Sequence, residues 1–192
     1  MDPAHGKGDR QRVRGIDRRT GARAGDGSVS AFHARWLAVC RFLGQEAAAL
    51  DDKDWDSWLA LYHEDAEFWV PAWDDHERPT NDPEREVSLI YYPTRAGLED
   101  RVFRIRTHRS AASTPAPRTA HLFTLLSAEE GDGLIHARTS WSTTSVLEGK
   151  AATLTGWAFY DLEPSGDSFV IRRKKTVIVN DLFHEILDVY SI

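Results

Sequence analysis

Cysteine is nearly absent from this sequence: Cys40 is the only one among 192 residues. No internal disulfide can therefore form, and a cytoplasmic location is expected. No apolar run reaches the roughly 18 residues of a membrane span, and no apolar stretch follows the positively charged start as it would in a signal peptide. The net charge of −6 argues against a general nucleic-acid binder. We therefore expect neither a membrane nor a nucleic acid as a partner.

Positive charge is concentrated at the start of the chain. Residues 1–27 contain seven Lys or Arg and four Asp, a net charge of +3, which leaves −9 for the rest. This segment has almost no large apolar side chains, so burial cannot offset the entropy that ordering would cost. We predict a disordered extension over residues 1–27 and a single domain over residues 28–192. A basic arm that binds nucleic acid is the alternative for the extension.

The spacing of apolar residues changes from a helical pattern to a strand pattern along the domain. Helical spacing is found over residues 32–50, 55–62 and 98–105. Short β-prone stretches occur at residues 67–70 and 87–92, and four longer ones follow at residues 118–128, 134–147, 151–162 and 169–179. Turn residues typical of hairpins separate the last four. This order predicts an α+β domain in which helices come first and a curled antiparallel sheet follows.

Few residues of the chain can serve as iron ligands. A Rieske cluster takes two cysteines and two histidines, whereas Cys40 stands alone on the apolar face of the first predicted helix. A mononuclear oxygenase iron takes two histidines and one carboxylate. No two of the eight histidines are closer than thirteen positions, so no helical turn supplies a ligand pair. We expect no metal, no cofactor and no catalytic residue in this chain.

An acid–base pocket is the enzymatic alternative. Small cone-shaped α+β domains often enclose an apolar cavity, and Asp56, Tyr62, His63 and His121 could line one here. The set Asp56, Tyr62 and His121 would serve a dehydratase or isomerase, provided that burial shifts a pKa to suit proton transfer. A filled core with helix-capping aspartates explains the same residues without a pocket. A ligand-binding module without catalysis is a third possibility.

Tryptophan and arginine are concentrated in two segments. Four of the seven tryptophans lie within residues 55–73, and the last of them begins a polar loop. Four arginines lie within residues 101–109. Protein interfaces are enriched in both residue types, although core packing and solvated charge also explain them. The predicted subunit-interface residues are Trp69, Trp73, Asp74, Asp75, Arg101, Arg104, Arg106 and Arg109.

Several short motifs make the sequence recognisable. They are Asp51-Asp-Lys-Asp-Trp-Asp56, Phe68-Trp-Val-Pro-Ala-Trp-Asp-Asp75, Glu86-Val-Ser-Leu-Ile-Tyr-Tyr92 and Gly97-Leu-Glu-Asp-Arg-Val-Phe-Arg-Ile105. The sequence then closes with Asn180-Asp and Ile186-Leu-Asp-Val-Tyr190. In this order and spacing, from about residue 36 onward, the motifs resemble the small (beta) subunits of benzoate, toluate and anthranilate dioxygenases.

The resemblance implies a fold, an assembly and a reaction. The fold would be the cystatin-like cone shared with nuclear transport factors and ketosteroid isomerases, with helices packed on a curved, mostly antiparallel sheet. Three copies of this chain, associated as a trimer, would pair with three large catalytic subunits that carry the Rieske cluster and the mononuclear iron. The holoenzyme would add both atoms of dioxygen to a benzoate-like acid and form a cis-diol. Electrons would come from NADH through a reductase that reaches the large subunit.

Overall fold

The computed structural model describes residues 26–107, 115–182 and 186–192, in which helices precede most of the strands. The first half holds α1 (Asp26–Asp52), α2 (Trp55–Ala60), β1 (Tyr62–Pro71), β2 (Ser88–Tyr92) and α3 (Arg95–Arg106). The second half holds β3 (Arg118–Gly131), β4 (Leu134–Leu147), β5 (Lys150–Ser165), β6 (Ser168–Ile178) and a 3-10 turn at Val189–Ser191. The predicted α+β order is confirmed.

The predicted boundary at residue 27 is close to the start of the first helix. Helix α1 begins at Asp26, and residues 1–25, on which most of the predicted extension falls, lie outside the described residues. In the part of the chain that the structure describes, no helix combines the length and the apolar character that crossing a bilayer requires.

All six strands form one sheet in the order β2-β1-β6-β5-β4-β3. Among the strands of the described residues, the β1–β6 pair is parallel and the other four pairs are antiparallel. Two-residue turns join β3 to β4 and β4 to β5, and Asp132, Gly133, Glu148 and Gly149 in these turns all have positive φ. Two consecutive positive φ angles match the twist of a tight hairpin. The predicted hairpins and the mostly antiparallel sheet are therefore confirmed.

The hydrophobic core lies between the helices and the sheet. Helix α1 faces the strands with a stripe of buried residues. These are Val39, Phe42, Leu43, Ala49 and Leu50. Trp58 of α2 is fully buried, and its ring packs edge-on against Tyr62 at a centroid distance of 5.2 Å. Cys40 packs at the margin of this core as a free thiol.

The break between α1 and α2 follows from its residues. Lys53 adopts a left-handed φ of 57°, which ends α1. The Asp54 side chain then accepts a hydrogen bond from the Ser57 main-chain N–H at 3.2 Å and so caps α2. This turn fixes Asp51, at the end of α1, close to the first residues of β3.

Gly156 allows β5 and β6 to approach closely. A Cβ at this position would lie 1.8 Å from the main-chain carbonyl oxygen of Val177, an atom that cannot rotate away. We expect Gly156→Ala to destabilise the chain by about 1–3 kcal/mol in urea unfolding. The matched control is Gly44→Ala in the middle of α1, where an added Cβ meets nothing within 4 Å. That change should stabilise the chain by about 0.5–1 kcal/mol, and equal effects at the two positions would contradict the close approach.

Candidate functional site

A buried carboxylate, Glu46 of α1, lies at the centre of a hydrogen-bonded cluster inside the cone. Its Oε1 accepts hydrogen bonds from the Tyr62 hydroxyl at 2.5 Å and from Lys174 Nζ at 2.9 Å. Its Oε2 accepts a hydrogen bond from the Tyr160 hydroxyl at 3.1 Å. Because Tyr62 lies in β1, Tyr160 in β5 and Lys174 in β6, one carboxylate connects the helix to three strands. We call Glu46, Tyr62, Tyr160 and Lys174 the Glu46 cluster.

The Glu46 cluster holds its carboxylate in the charged form. Burial raises the pKa of Glu46, but the Lys174 charge and the hydrogen bonds from Tyr62, Lys174 and Tyr160 outweigh it, so this pKa lies below the ordinary 4.5. Burial and the nearby Glu46 carboxylate raise the pKa values of Tyr62 and Tyr160 well above 10. At neutral pH the two phenols are therefore neutral donors to an anion that Lys174 pairs with.

A second, partly buried pair connects α1 to β3. His121 Nδ1 lies 2.6 Å from Asp51 Oδ1, and the His121 main-chain N–H donates to Asp51 Oδ2 at 3.0 Å. Thr119 Oγ1 donates to Asp51 Oδ1 at 2.9 Å. Burial raises the pKa of Asp51, but these hydrogen bonds outweigh it and the pKa is lowered. Burial lowers the pKa of His121 although Asp51 opposes the change, so the imidazole is neutral near pH 7.

His121 and Glu46 line one small cavity inside the cone. Its volume is about 30 Å³, and its walls come from α1, β3, β4, β5, β6 and the last residue of the chain. A buried cavity of about 150 Å³ is known to hold benzene. The cavity here is far smaller and has space for water molecules, not for an aromatic ring.

The structure does not bring the three predicted pocket residues together. His121 lines the cavity, whereas Tyr62 is bound to Glu46 and is not among the lining residues. The Asp56 side chain is 81% exposed and pairs with Arg106 at 2.8 Å on the surface. Asp56 is placed there because it lies in the first turn of α2, whose buried face is formed by Trp55 and Trp58.

The carboxylates beside the cavity are not among the site residues predicted from the sequence. They are Glu46 and Asp51, and both belong to α1. Glu46 lies three residues after Leu43 and four before Leu50, on the same apolar stripe. An acidic residue within such a stripe was the available signal, because an unpaired buried charge is too costly to retain.

Trp69 of the predicted interface is part of the chain's own interior. It is 1% exposed, and its Nε1 donates to Ser88 Oγ at 2.8 Å. Lys175 Nζ lies 4.1 Å from the centroid of the Trp69 ring, within the range of a cation–π contact. The chain therefore buries Trp69 by itself, because this residue of β1 pairs with Tyr91 of β2 and contacts Ser88 and Lys175.

The loop that follows β1 exposes part of the predicted interface to solvent. Trp73 is 42% exposed even though its Nε1 donates to the Ile178 carbonyl oxygen at 2.6 Å. Asp74 accepts hydrogen bonds at 2.8 Å from two main-chain N–H groups of its own loop. Asp75 is exposed. Trp73 and Asp75 are therefore available to a partner, and Asp74 shapes the loop that carries them.

Arg101 of the predicted interface is bound within the chain. Its Nε donates to Asp188 Oδ1 at 2.7 Å, and its second terminal nitrogen donates to Asp188 Oδ2. The Asp188 side chain is completely buried, whereas that of Arg101 is 20% exposed. This bidentate ion pair between guanidinium and carboxylate connects α3 to the C-terminal residues.

The remaining predicted arginines lie on the surface or outside the described residues. Arg104 pairs with Asp100 at 2.8 Å, and both side chains are more than half exposed. Arg106 pairs with Asp56, as described above. Arg109 lies outside the described residues. Arg104 and Arg106 therefore both have the surface position that a contact with another subunit requires.

One group of possible metal ligands comes together in the described ranges. Ligand atoms of His63, Glu64 and Asp65 lie within 4.8 Å of one another. His63 Nδ1 also lies 2.7 Å from the Arg172 guanidinium. An oxygenase iron site takes two histidines and one carboxylate, and a Rieske cluster takes two cysteines. This group fits neither, since it holds one histidine and the whole chain has only Cys40.

Comparison with known proteins agrees with the resemblance found in the sequence. The family described as ring hydroxylating beta subunit matches residues 45–185. The 2-halobenzoate 1,2-dioxygenase small subunit of Burkholderia cepacia is 42% identical over 165 residues, which cover 85% of this chain and 100% of that protein. The crystal structure of the benzoate 1,2-dioxygenase beta subunit of Burkholderia mallei is 41% identical with a TM-score of 0.67. It covers 80% of this chain and 95% of the crystallised one.

A more distant structure shows the fold alone. A naphthalene 1,2-dioxygenase chain has a TM-score of 0.67 at 14% identity and covers 88% of this chain and 94% of its own length. The cystatin-like cone that the resemblance implied is confirmed. With the match over residues 45–185, the chain belongs to the family of ring-hydroxylating dioxygenase beta subunits, components of oxidoreductase enzymes.

Proposed function

We propose that this chain is the non-catalytic, structural subunit of a multicomponent dioxygenase that cis-dihydroxylates a benzoate-like aromatic acid with dioxygen and NADH-derived electrons. The observation that carries the proposal is the 42% identity to a 2-halobenzoate 1,2-dioxygenase small subunit over that protein's whole length. A second relative, at 41% identity, is named for benzoate. Both names specify an aromatic carboxylic acid, which supports that substrate class here.

The ligand inventory of the sequence supports placing the redox centres in a partner. One cysteine cannot supply the two that a Rieske cluster requires. Three large subunits with the Rieske cluster and the mononuclear iron would pair with three copies of this chain, which we expect to associate as a trimer. An NADH-dependent reductase would deliver electrons to the large subunit. We expect the assembly to be cytoplasmic.

Two surface features are proposed as subunit contacts. On α3, Arg104 and Asp100 form an exposed ion pair next to Phe103, whose side chain is 54% exposed. On the loop after β1, Trp73 and Asp75 are exposed. Exposed aromatic and arginine side chains are typical of interface centres, where water is excluded on binding. The proposed contacts therefore omit Trp69 and Arg101, which support the chain's own fold.

We expect Arg104→Ala to weaken assembly with the large subunit while the isolated chain stays folded. Loss of one partner of a charge pair that assembly buries costs about 2–5 kcal/mol of association free energy. In the isolated chain the exposed pair with Asp100 is worth about 0–1 kcal/mol. Mass photometry of the complex and urea unfolding of the lone chain measure the two effects. The control is Arg41→Ala, an exposed arginine on α1. An unfolded lone chain with normal assembly would contradict the interface assignment of Arg104.

The reaction is tested by reconstitution. The chain is co-expressed with the large subunit of the same system, supplied with reductase and NADH, and given benzoate. We expect a cis-diol product from the complete mixture and none when the large subunit is omitted. A dehydratase or isomerase is not proposed, because the structure does not bring Asp56, Tyr62 and His121 together around one cavity.

A further inference from the structure

Three buried polar atoms on three different strands find no hydrogen-bond partner among the residues that the structure describes, and they belong to residues that line the same cavity. They are His121 Nε2 on β3, Trp141 Nε1 on β4 and Thr176 Oγ1 on β6. The His121 side chain is 9% exposed, and Trp141 and Thr176 are 7% and 1% exposed. Protein interiors rarely leave such groups unpaired, and each one left so is destabilising. Their presence around one cavity points to a ligand that pairs with them.

The three atoms specify the hydrogen-bonding character of that ligand. The Asp51 carboxylate lies 2.6 Å from His121 Nδ1, so Nδ1 carries the proton and Nε2 accepts. The Trp141 indole can only donate, and the Thr176 hydroxyl can do either. A molecule that satisfies all three must therefore both donate and accept. A hydroxyl group does this, whereas a metal ion or a simple anion does not.

We propose that the cavity is a binding site for one structural water molecule, which donates to His121 Nε2, accepts from Trp141 Nε1 and pairs with Thr176 Oγ1. The cavity of about 30 Å³ is large enough, since a buried water needs at least about 10–15 Å³ of such space. Two or more polar partners are what a buried water requires, and the site offers three. The water would connect β3, β4 and β6 inside the cone.

A pair of isosteric substitutions tests the site. Thr139 Oγ1 on β4 is also buried and unpaired, but Thr139 does not line the cavity. Thr139→Val removes an unpaired hydroxyl, so the full-length chain should melt at the same or a higher temperature. Thr176→Val removes a bond to the water, so it should lower the melting temperature by about 2–4 °C. A melting temperature for Thr176→Val as high as that of Thr139→Val would overturn the proposal.

A direct observation of the wild-type chain makes the test independent of how the variants fold. In a crystal structure of the full chain at high resolution, we expect one water peak within hydrogen-bonding distance of His121 Nε2 and Trp141 Nε1. In Trp141→Phe, the peak should lose one contact or disappear. No peak at this position, or density for a larger hydroxyl compound, would refute a water site.

Discussion

Replacing Glu46 with alanine is expected to destabilise the isolated chain by about 3–5 kcal/mol, because it leaves Lys174 charged and buried without its partner. Tyr62 and Tyr160 would lose their acceptor in the same step. Since domains are stable by about 5–15 kcal/mol, this loss is a large share of the free energy of unfolding. Urea unfolding followed by tryptophan fluorescence measures the loss.

A double substitution separates the effect of the buried charges on stability from the effect of side-chain volume at position 46. Glu46→Leu combined with Lys174→Met removes both charges and keeps apolar volume, and such replacements are often neutral or stabilising. We therefore expect the double variant to be clearly more stable than Glu46→Ala. Equal losses would show that packing around Glu46, and not its ion pair with Lys174, stabilises this part of the cone.

The Glu46 cluster also has a predicted pH dependence. The pKa of Glu46 is lower in the folded chain than its ordinary value of 4.5. A carboxylate of this kind contributes stability that is fully present above about pH 4.5 and is lost as the pH falls through the folded-state pKa. The stability difference between the wild type and Glu46→Gln should therefore shrink on acidification below pH 4.5. A difference that stays constant down to strongly acidic pH would contradict the charged state of Glu46.

Replacing Arg101 with alanine is expected to have an effect of similar size, about 3–5 kcal/mol, for the same physical reason. It leaves the Asp188 carboxylate buried, with 0% of its side chain exposed, and without its paired guanidinium. The substitution would also remove the ion pair that connects α3 to the 3-10 turn at Val189–Ser191. Thermal and urea unfolding of the isolated chain measure the change.

Arg104→Ala serves as the matched control for Arg101→Ala. Both arginines lie on α3, three residues apart, but the partner of Arg104 is exposed. We expect a loss of stability for Arg101→Ala and almost none for Arg104→Ala. The reverse order would contradict a stabilising role of the ion pair between Arg101 and Asp188.

Much of the fold was predictable because its signals are local. The turn residues around Gly133 and Gly149 favour positive φ, and apolar spacing marks each helix before any tertiary contact forms. The strand order was not predictable in this way. The parallel pairing of β1 with β6 joins residues more than a hundred positions apart, and nothing in either segment specifies that neighbour.

The site residues were less predictable, because their roles depend on distant partners. The spacing of Arg101 and Arg104 on one helix suggests a shared role, yet only the first meets Asp188, 87 positions away. Asp56 was a reasonable pocket candidate by type, but its place on the first turn of α2 directs it to solvent. Asp51, five residues earlier, is the carboxylate that reaches His121.

We propose that this chain supports a dioxygenase whose iron is held by another subunit. The most direct measurement is iron analysis with visible spectroscopy on the purified chain alone and on its complex with the large subunit. We predict no stoichiometric iron and no Rieske absorption from the lone chain, whose single cysteine cannot complete a cluster, and both signals from the complex. A Rieske spectrum from the lone chain would contradict the account.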